Sequence, residues 1–187
     1  MYKIFLDYFL LIISFVIFFI PFLIICIIIY FSFDGPIFHY SKRYGKNNII
    51  FYMPKFRTMI ISSPDLPTHL LKNSDSYITY FGNFLRMFSF DELPQIFSVI
   101  KRDMSFVGPR PALHNQDDLI NLRSSHGIDN QLPGITGWAQ INGRDNISIE
   151  AKVNLEKFYL KNMSFLFDLK IIFITVMQVF KRNNVKH

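Results

Sequence analysis

The sequence predicts an α+β, mainly helical protein: an N-terminal membrane-inserted segment followed by a small globular domain. Three observations predict it. No charged residue occurs from Tyr8 to Phe33. Residues 34–59 read as a short β-hairpin around a Gly45-Lys46-Asn47-Asn48 turn. Beyond residue 76 the chain reads as short amphipathic helices divided by loops rich in glycine and proline. These place a membrane segment at residues 1–33 and a globular domain at 34–187.

The apolar run is longer than the ~20 residues a helix needs to cross a bilayer core. It is too long for a signal peptide, and no small-residue cleavage site follows it. Pro21, near its middle, removes a backbone donor and bends a helix. Both a kinked span and a re-entrant pair that returns to the same membrane face satisfy that geometry. Positive charges downstream (Lys42, Arg43, Lys46, Lys55, Arg57) outnumber Lys3 upstream, which keeps the globular part cytoplasmic.

In the globular part, residues 62–76 contain many turn formers and read as a loop. Residues 77–89 and 91–105 read as two helices, the second with Leu93, Ile96, Phe97 and Ile100 at helical spacing. The stretch FVGPRPAL (106–113) is irregular, since two prolines flank an arginine. LPGITGWAQINGR (132–144) is a loop with tight turns. Residues 147–161 and 165–182 are helices. The last is interrupted by Asp168 and Lys170, so it suits a membrane interface or a place on the core.

Composition narrows the partners. The net charge is +6, the pI about 9.4, and half the residues are hydrophobic, 22 of them phenylalanine. A basic, phenylalanine-rich chain suits a membrane surface or a phosphate-bearing ligand. Nucleic acid is disfavoured as a partner, because Lys and Arg are scattered in ones and twos and no nucleic-acid motif occurs. The single cysteine, Cys26, permits no disulfide within the chain. His39, His69, His114, His126 and His187 lack metal-ligand spacing. No phosphate-binding P-loop, serine-nucleophile elbow or dinucleotide fingerprint is present.

The residues that invite chemistry lie in FSFDELPQIF, residues 88–97. Asp91 and Glu92 stand side by side before Pro94. Ser89-x-x-Glu92 matches a helix capping box, with Glu92 reaching back to the helix start. The same position serves chemistry. A helix N-terminus keeps a carboxylate ionised and attracts phosphate, so Asp91 suits a nucleophile or magnesium ligand and Glu92 a base. Lys55 and Arg57 fall two apart on a strand, Arg86 precedes the acidic pair, and Arg110 sits in a stiff Pro109-Arg110-Pro111 turn. Several cations around one acidic pair point to an anionic substrate.

Three linked motifs, KFRTM (55–59), FGNFLRMFSFDELPQIFSVIKRDMSFVGPRP (81–111) and LPGITGWAQINGR (132–144), resemble the bacterial sugar transferases. These are small monotopic phosphoglycosyltransferases of the bacterial inner membrane, with the catalytic domain on the cytoplasmic face. The resemblance implies a re-entrant helix-break-helix centred on Pro21. It implies attack by Asp91 on a UDP-sugar, release of UMP, and transfer of the phospho-sugar from Asp91 to polyprenyl phosphate. It implies an N-acetylated sugar and a place at the start of lipopolysaccharide or exopolysaccharide synthesis. Glu92 would help deprotonate the lipid phosphate, and Mg2+ would bridge Asp91 and the diphosphate. Lys55, Arg57, Arg86 and Arg110 would bind phosphate, Pro109 and Pro111 would flank the nucleotide, and Asp168 would lie near the site. Two positions depart from the family pattern: Ile20-Pro21 replaces Ser-Pro at the break, and Pro54 directly precedes Lys55. A non-catalytic module that binds anionic lipid or nucleotide is the alternative; it makes Asp91 and Glu92 dispensable.

Overall fold

The computed structural model describes residues 2–32, 35–61, 63, 77–143 and 147–181. The expected loop at 62–76 falls outside these residues, apart from Ser63, as do His69 and His187.

Helix α1 covers Tyr2–Ser32, about 46 Å at 1.5 Å per residue. The expected break at Pro21 does not interrupt it: residues on both sides remain helical, and the lost Pro21 donor ends nothing. The middle of α1 is bare, with Ile12, Phe15, Val16, Ile17 and Ile20 all exposed. Its two ends are not. Leu6 and Asp7 are buried near the start, and Ile25 and Ile29 near the end. Both ends of this apolar helix therefore rest on one globular domain.

The expected hairpin is present. Strand β1 (Phe38–Tyr44) pairs antiparallel with β2 (Ile50–Phe56), from Phe38↔Phe56 to Tyr44↔Ile50. In the turn, Asn47 and Asn48 take left-handed backbone (φ 54° and 57°), which asparagine tolerates better than most residues. Pro54 does not redirect β2. In the sheet β1 lies between β2 and the short strand Ala112–Leu113 (β4), so Pro54 lies on an edge strand, where a missing N–H is tolerated.

Helix α2 (Tyr80–Met87) follows, capped by Thr79, whose hydroxyl accepts from the Gly82 N–H at 3.0 Å. The second expected helix is corrected. Residues Phe90–Gln95 form a 3₁₀ turn, and regular helix (α3, Ile96–Ile100) begins only beyond Pro94, the residue without an N–H to donate. The two motifs read as irregular each contain strands. Ser105–Val107 (β3) and Gly134–Thr136 (β5) form a parallel pair, and Ala112–Leu113 (β4) joins β1. Only Gly108–Pro111 between β3 and β4 is loop.

Helix α4 (Asp117–Ser124) and helix α5 (Trp138–Ile141), the latter inside the stretch read as a loop, were not expected from the sequence; α6 (Ile149–Lys161) and α7 (Phe165–Lys181) match the two expected C-terminal helices. α7 combines both expected roles: Asp168 and Ile171 are buried, while Leu166 (75% exposed) and Phe173 (66%) face outward.

Four apolar clusters hold these elements. In one, Ile25 and Ile29 of α1 meet Phe56 of β2 and Leu85 of α2, with Phe90 and Leu93 against them. Another joins α4 and α6 through Leu119 and Val153. Beside it, Arg123 of α4 makes a two-pronged ion pair with Glu156 of α6, both side chains nearly inaccessible. Removing one partner leaves a buried charge unpaired. Glu156→Leu therefore costs about 3–5 kcal/mol in denaturant unfolding, and Arg123→Leu combined with Glu156→Leu costs less than Glu156→Leu alone.

Candidate active site

At the end of α2 the chain turns through Ser89, in left-handed backbone with φ 58°, and enters the 3₁₀ turn carrying Asp91 and Glu92. The capping box is not formed. The Ser89 side chain caps nothing, and Glu92 points instead toward two cations. The phenylalanines account for the local shape: Phe90 and Leu93 insert into the cluster with α1, and Phe88 stacks on Phe90 at 5.8 Å between centroids. Hydrophobic insertion orients the turn, which leaves both carboxylates on its open side.

The two cations come from elsewhere. Lys55, on β2, places Nζ 2.7 Å from Glu92 Oε1 and 4.0 Å from Asp91 Oδ2. Arg110 places Nη2 3.4 Å from the same Glu92 oxygen. These four side chains are 13–27% exposed, enclosed enough to interact strongly yet reachable by a substrate. Arg86 donates Nε to Thr58 Oγ1 at 2.8 Å, and its charge acts on Asp91. Arg57 lies past the end of β2 and donates Nε to the Pro36 carbonyl at 3.0 Å, apart from this group. Asp168 belongs to another cluster, where it accepts from the Tyr159 hydroxyl at 2.7 Å and lies 3.6 Å from Lys3. Pro21 lies about two thirds of the way along α1, directly before Phe22, which packs on Phe56 in the cluster beneath the acidic turn.

Arg110 depends on a backbone contact that the motifs encode in glycine. A Cβ on Gly134 or Gly137 would collide with the Gly108 backbone, and one on Gly108 would meet the Leu132 carbonyl. Bare backbone lets the loop seat: Gly108 N donates to Thr136 O, and Gly134 N donates to Pro109 O, both at 2.8 Å. The Pro111 carbonyl accepts from Arg43 at 3.2 Å. GPRP and LPGITG are thus two halves of one device that fixes Arg110.

The electrostatics differ from those expected of a carboxylate at a helix end. Burial pushes the Asp91 carboxyl above the ordinary carboxylate range; Lys55 opposes the shift, Glu92 adds to it and Arg86 opposes it. The short 3₁₀ turn does not offset that burial. Burial also lowers the Arg86 guanidinium, against the pull of Asp91. As for a metal, the described residues contain no group of three or more candidate ligands. Glu92 is engaged by Lys55 and Arg110, which leaves Asp91 as the available carboxylate. One carboxylate suits Mg2+, which takes its other ligands from substrate phosphates and water.

A family model described as bacterial sugar transferase matches residues 1–182. The chain belongs to the bacterial sugar transferase family. It is 42% identical over 145 residues to the uncharacterized sugar transferase EpsL of Bacillus subtilis, covering 78% of this chain and 70% of that protein. It is 34% identical over 167 residues to the undecaprenyl-phosphate galactose phosphotransferase of Salmonella typhimurium, covering 80% of this chain and 34% of that one. It is 37% identical over 156 residues to the UDP-glucose:undecaprenyl-phosphate glucose-1-phosphate transferase of Escherichia coli, again 80% and 34%. This sugar transferase thus spans about a third of the length of the latter two.

Asp7 was not singled out in the sequence, although an acid four residues after Lys3 at the head of an apolar run is a readable signal. The glycine contacts were not readable, because they join segments some 25 residues apart.

The raised Asp91 pKa has a stability consequence. The folded state holds the proton more tightly than the unfolded chain, so this group's contribution falls as pH rises from the unfolded toward the folded pKa. Above that window the ionised, buried Asp91 is a net cost. Asp91→Asn should therefore raise the thermal midpoint at neutral pH by a few degrees and have no such effect at pH below the ordinary carboxylate value, as read by melting in detergent.

Proposed function

We propose that this protein transfers a sugar-1-phosphate from a UDP-sugar, N-acetylated at the sugar, to polyprenyl phosphate at the bacterial inner membrane. The observation that carries the reading is Asp91 flanked by Glu92, Lys55, Arg86 and Arg110 on a platform built from an apolar helix. The relatives named for undecaprenyl-phosphate sugar phosphotransfer support the same class.

The chemistry divides into two displacements. Asp91 Oδ attacks the β-phosphorus of the donor, and the bond from that phosphorus to the bridging oxygen breaks, so UMP departs with the electron pair. A carboxylate nucleophile lets UMP leave before the lipid enters. An oxygen of polyprenyl phosphate then attacks the same phosphorus, the Asp91–phosphorus bond breaks, and the product is a polyprenyl diphosphate sugar. Lys55 and Arg110 offset charge on the phosphoryl oxygens in both transition states. Arg86 helps keep Asp91 ionised against its burial. Pro109 and Pro111, which flank Arg110, line the approach for the nucleotide; Arg57, bonded to the Pro36 carbonyl, takes no part in it. When substrate phosphates draw Lys55 and Arg110 away, the Glu92 carboxylate is released and takes the proton from a protonated acceptor phosphate. Asp91 is the residue that would hold Mg2+, which when bound adds positive charge against the diphosphate.

The domain lies on the cytoplasmic face, and α1, unbroken at Pro21 and resting on the domain at both ends, is embedded from that face rather than spanning. Anchorage of both ends of α1 on one domain supports this, together with exposed apolar side chains on α1, α2, α3 and α7. A cysteine introduced at Tyr2 in a Cys26→Ser background should resist a membrane-impermeant thiol reagent in intact cells. Labelling from outside would establish a span.

The decisive experiment supplies radiolabelled UDP-sugars with Mg2+ and polyprenyl phosphate. The intact protein should release UMP and carry label when acceptor is withheld. Asp91→Asn should show no adduct and lose ~10³-fold or more in rate. Arg110→Ala should lose on the order of 10²-fold. Full activity in Asp91→Asn would overturn the mechanism, and a non-catalytic module would release no UMP at all.

A further inference from the structure

We propose that Asp7, on the membrane helix, is a positioning residue for the active site: it fixes β3, and through β3 the loop that presents Arg110 to Glu92. The proposal rests on the reading of that loop as part of the active site.

Asp7 is only 2% exposed, although it lies at the head of a helix otherwise almost wholly apolar. A carboxylate in such a place needs partners. It has three, all from residues 102–106. Oδ1 accepts from the Ser105 hydroxyl at 2.8 Å and from the Phe106 N–H at 3.0 Å, and Oδ2 accepts from Arg102 Nη1 at 3.1 Å. Arg102 itself sits in left-handed backbone with φ 65°, a conformation that needs such fixation.

β3 is three residues long and pairs with β5 through Ser105 and Val107. By strand alternation the Phe106 N–H faces the other way, and Asp7 takes it. The membrane helix therefore occupies the side of β3 that no strand occupies. Lys3, one turn earlier on the same helix face, donates to the Val107 carbonyl and lies 3.6 Å from Asp168 of α7. Residues 105–107 are thus held by β5 through Ser105 and Val107 and by Asp7 of α1 through Phe106, and Lys3 adds a bond to the Val107 carbonyl.

The chain then runs directly into Gly108, Pro109 and Arg110. The contact from Arg110 to Glu92 is 3.4 Å, at the outer limit of a hydrogen bond. A displacement of β3 is passed to this contact through the two residues Gly108 and Pro109. A helix merely docked for stability would not need its polar anchor on this strand. Three residues separate the Phe106 amide bound by Asp7 from Arg110, the arginine that faces the reacting phosphates.

The test uses the full chain in lipid nanodiscs, with Asp7→Ala, Asp7→Asn, Arg110→Ala and each Asp7 change combined with Arg110→Ala. UMP release gives kcat/KM, and hydrogen exchange reports the amides of residues 105–110. Asp7→Ala should lower kcat/KM about tenfold or more, Asp7→Asn less, and neither should add to the loss in Arg110→Ala by more than about twofold. Exchange at 105–110 should speed up in Asp7→Ala while α2 amides stay unchanged. Losses that multiply, or an unchanged rate in Asp7→Ala, overturn the proposal. If Asp7→Ala does not accumulate folded, the Asp7→Asn cycle decides by the same criterion. If the unsubstituted chain releases no UMP from any donor, the functional reading fails. Exchange then decides the positioning: faster exchange confined to 105–110 supports it, and unchanged exchange overturns it.

Discussion

The structure turns on one carboxylate shared by two cations. Glu92 Oε1 draws Lys55 from the edge strand and Arg110 from the loop after β3 to the same point. Without it, two positive side chains from distant segments would have no reason to converge beside Asp91. Without them, two adjacent and half-enclosed acids would repel each other and pull toward their protonated forms. The arrangement is self-consistent only with all four groups present. Asp91 still carries a raised pKa, because burial outweighs the help it receives. A carboxylate held in a costly state marks a candidate functional site.

That ion group stands on an apolar base. Phe90 and Leu93 anchor the 3₁₀ turn among Ile25, Ile29, Phe56 and Leu85, so the membrane helix is part of the floor of the site. The same helix touches the far wall through Lys3 and Asp7. The apolar helix and the candidate site are therefore in direct contact at both ends of α1. One end of α1 supports the acids by hydrophobic packing, and the other secures the arginine loop by charge and hydrogen bonding. Between them the bare middle of α1 is left for lipid, which satisfies no backbone or polar group and favours side chains of this kind.

Much of this was legible in the chain. The hairpin, α2, α6 and α7 follow from periodicity and turn residues, because such signals are local. The candidate chemistry was legible too, since Asp91, Glu92, Lys55 and Arg110 sit in unusual local sequence. Other features depended on distance. Helix α4 is a short, mostly polar segment with little apolar face. β3 and β5 are three residues each, flanked by glycine and proline, and acquire strand geometry only by pairing with each other. The 3₁₀ turn replaced an expected α-helix because Pro94 and the insertion of Phe90 and Leu93 together outweighed the helical spacing of the apolar residues.

By itself, the sequence determined the class: an α+β domain joined to an apolar helix, with an acidic pair and scattered cations, because composition and short-range pattern dictate those. Tertiary structure decided the division of labour. It turned Glu92 away from capping and toward Lys55 and Arg110, left Arg57 bonded to Pro36, and removed Asp168 to a cluster with Tyr159 and Lys3. It also bonded Asp7 to Arg102, Ser105 and Phe106, just before the Gly108–Pro111 loop. The physical reason is common to all four. A charged side chain in a partly buried place takes the counter-ion or hydrogen-bond partner that folding brings within reach, and no local sequence rule specifies which one that is.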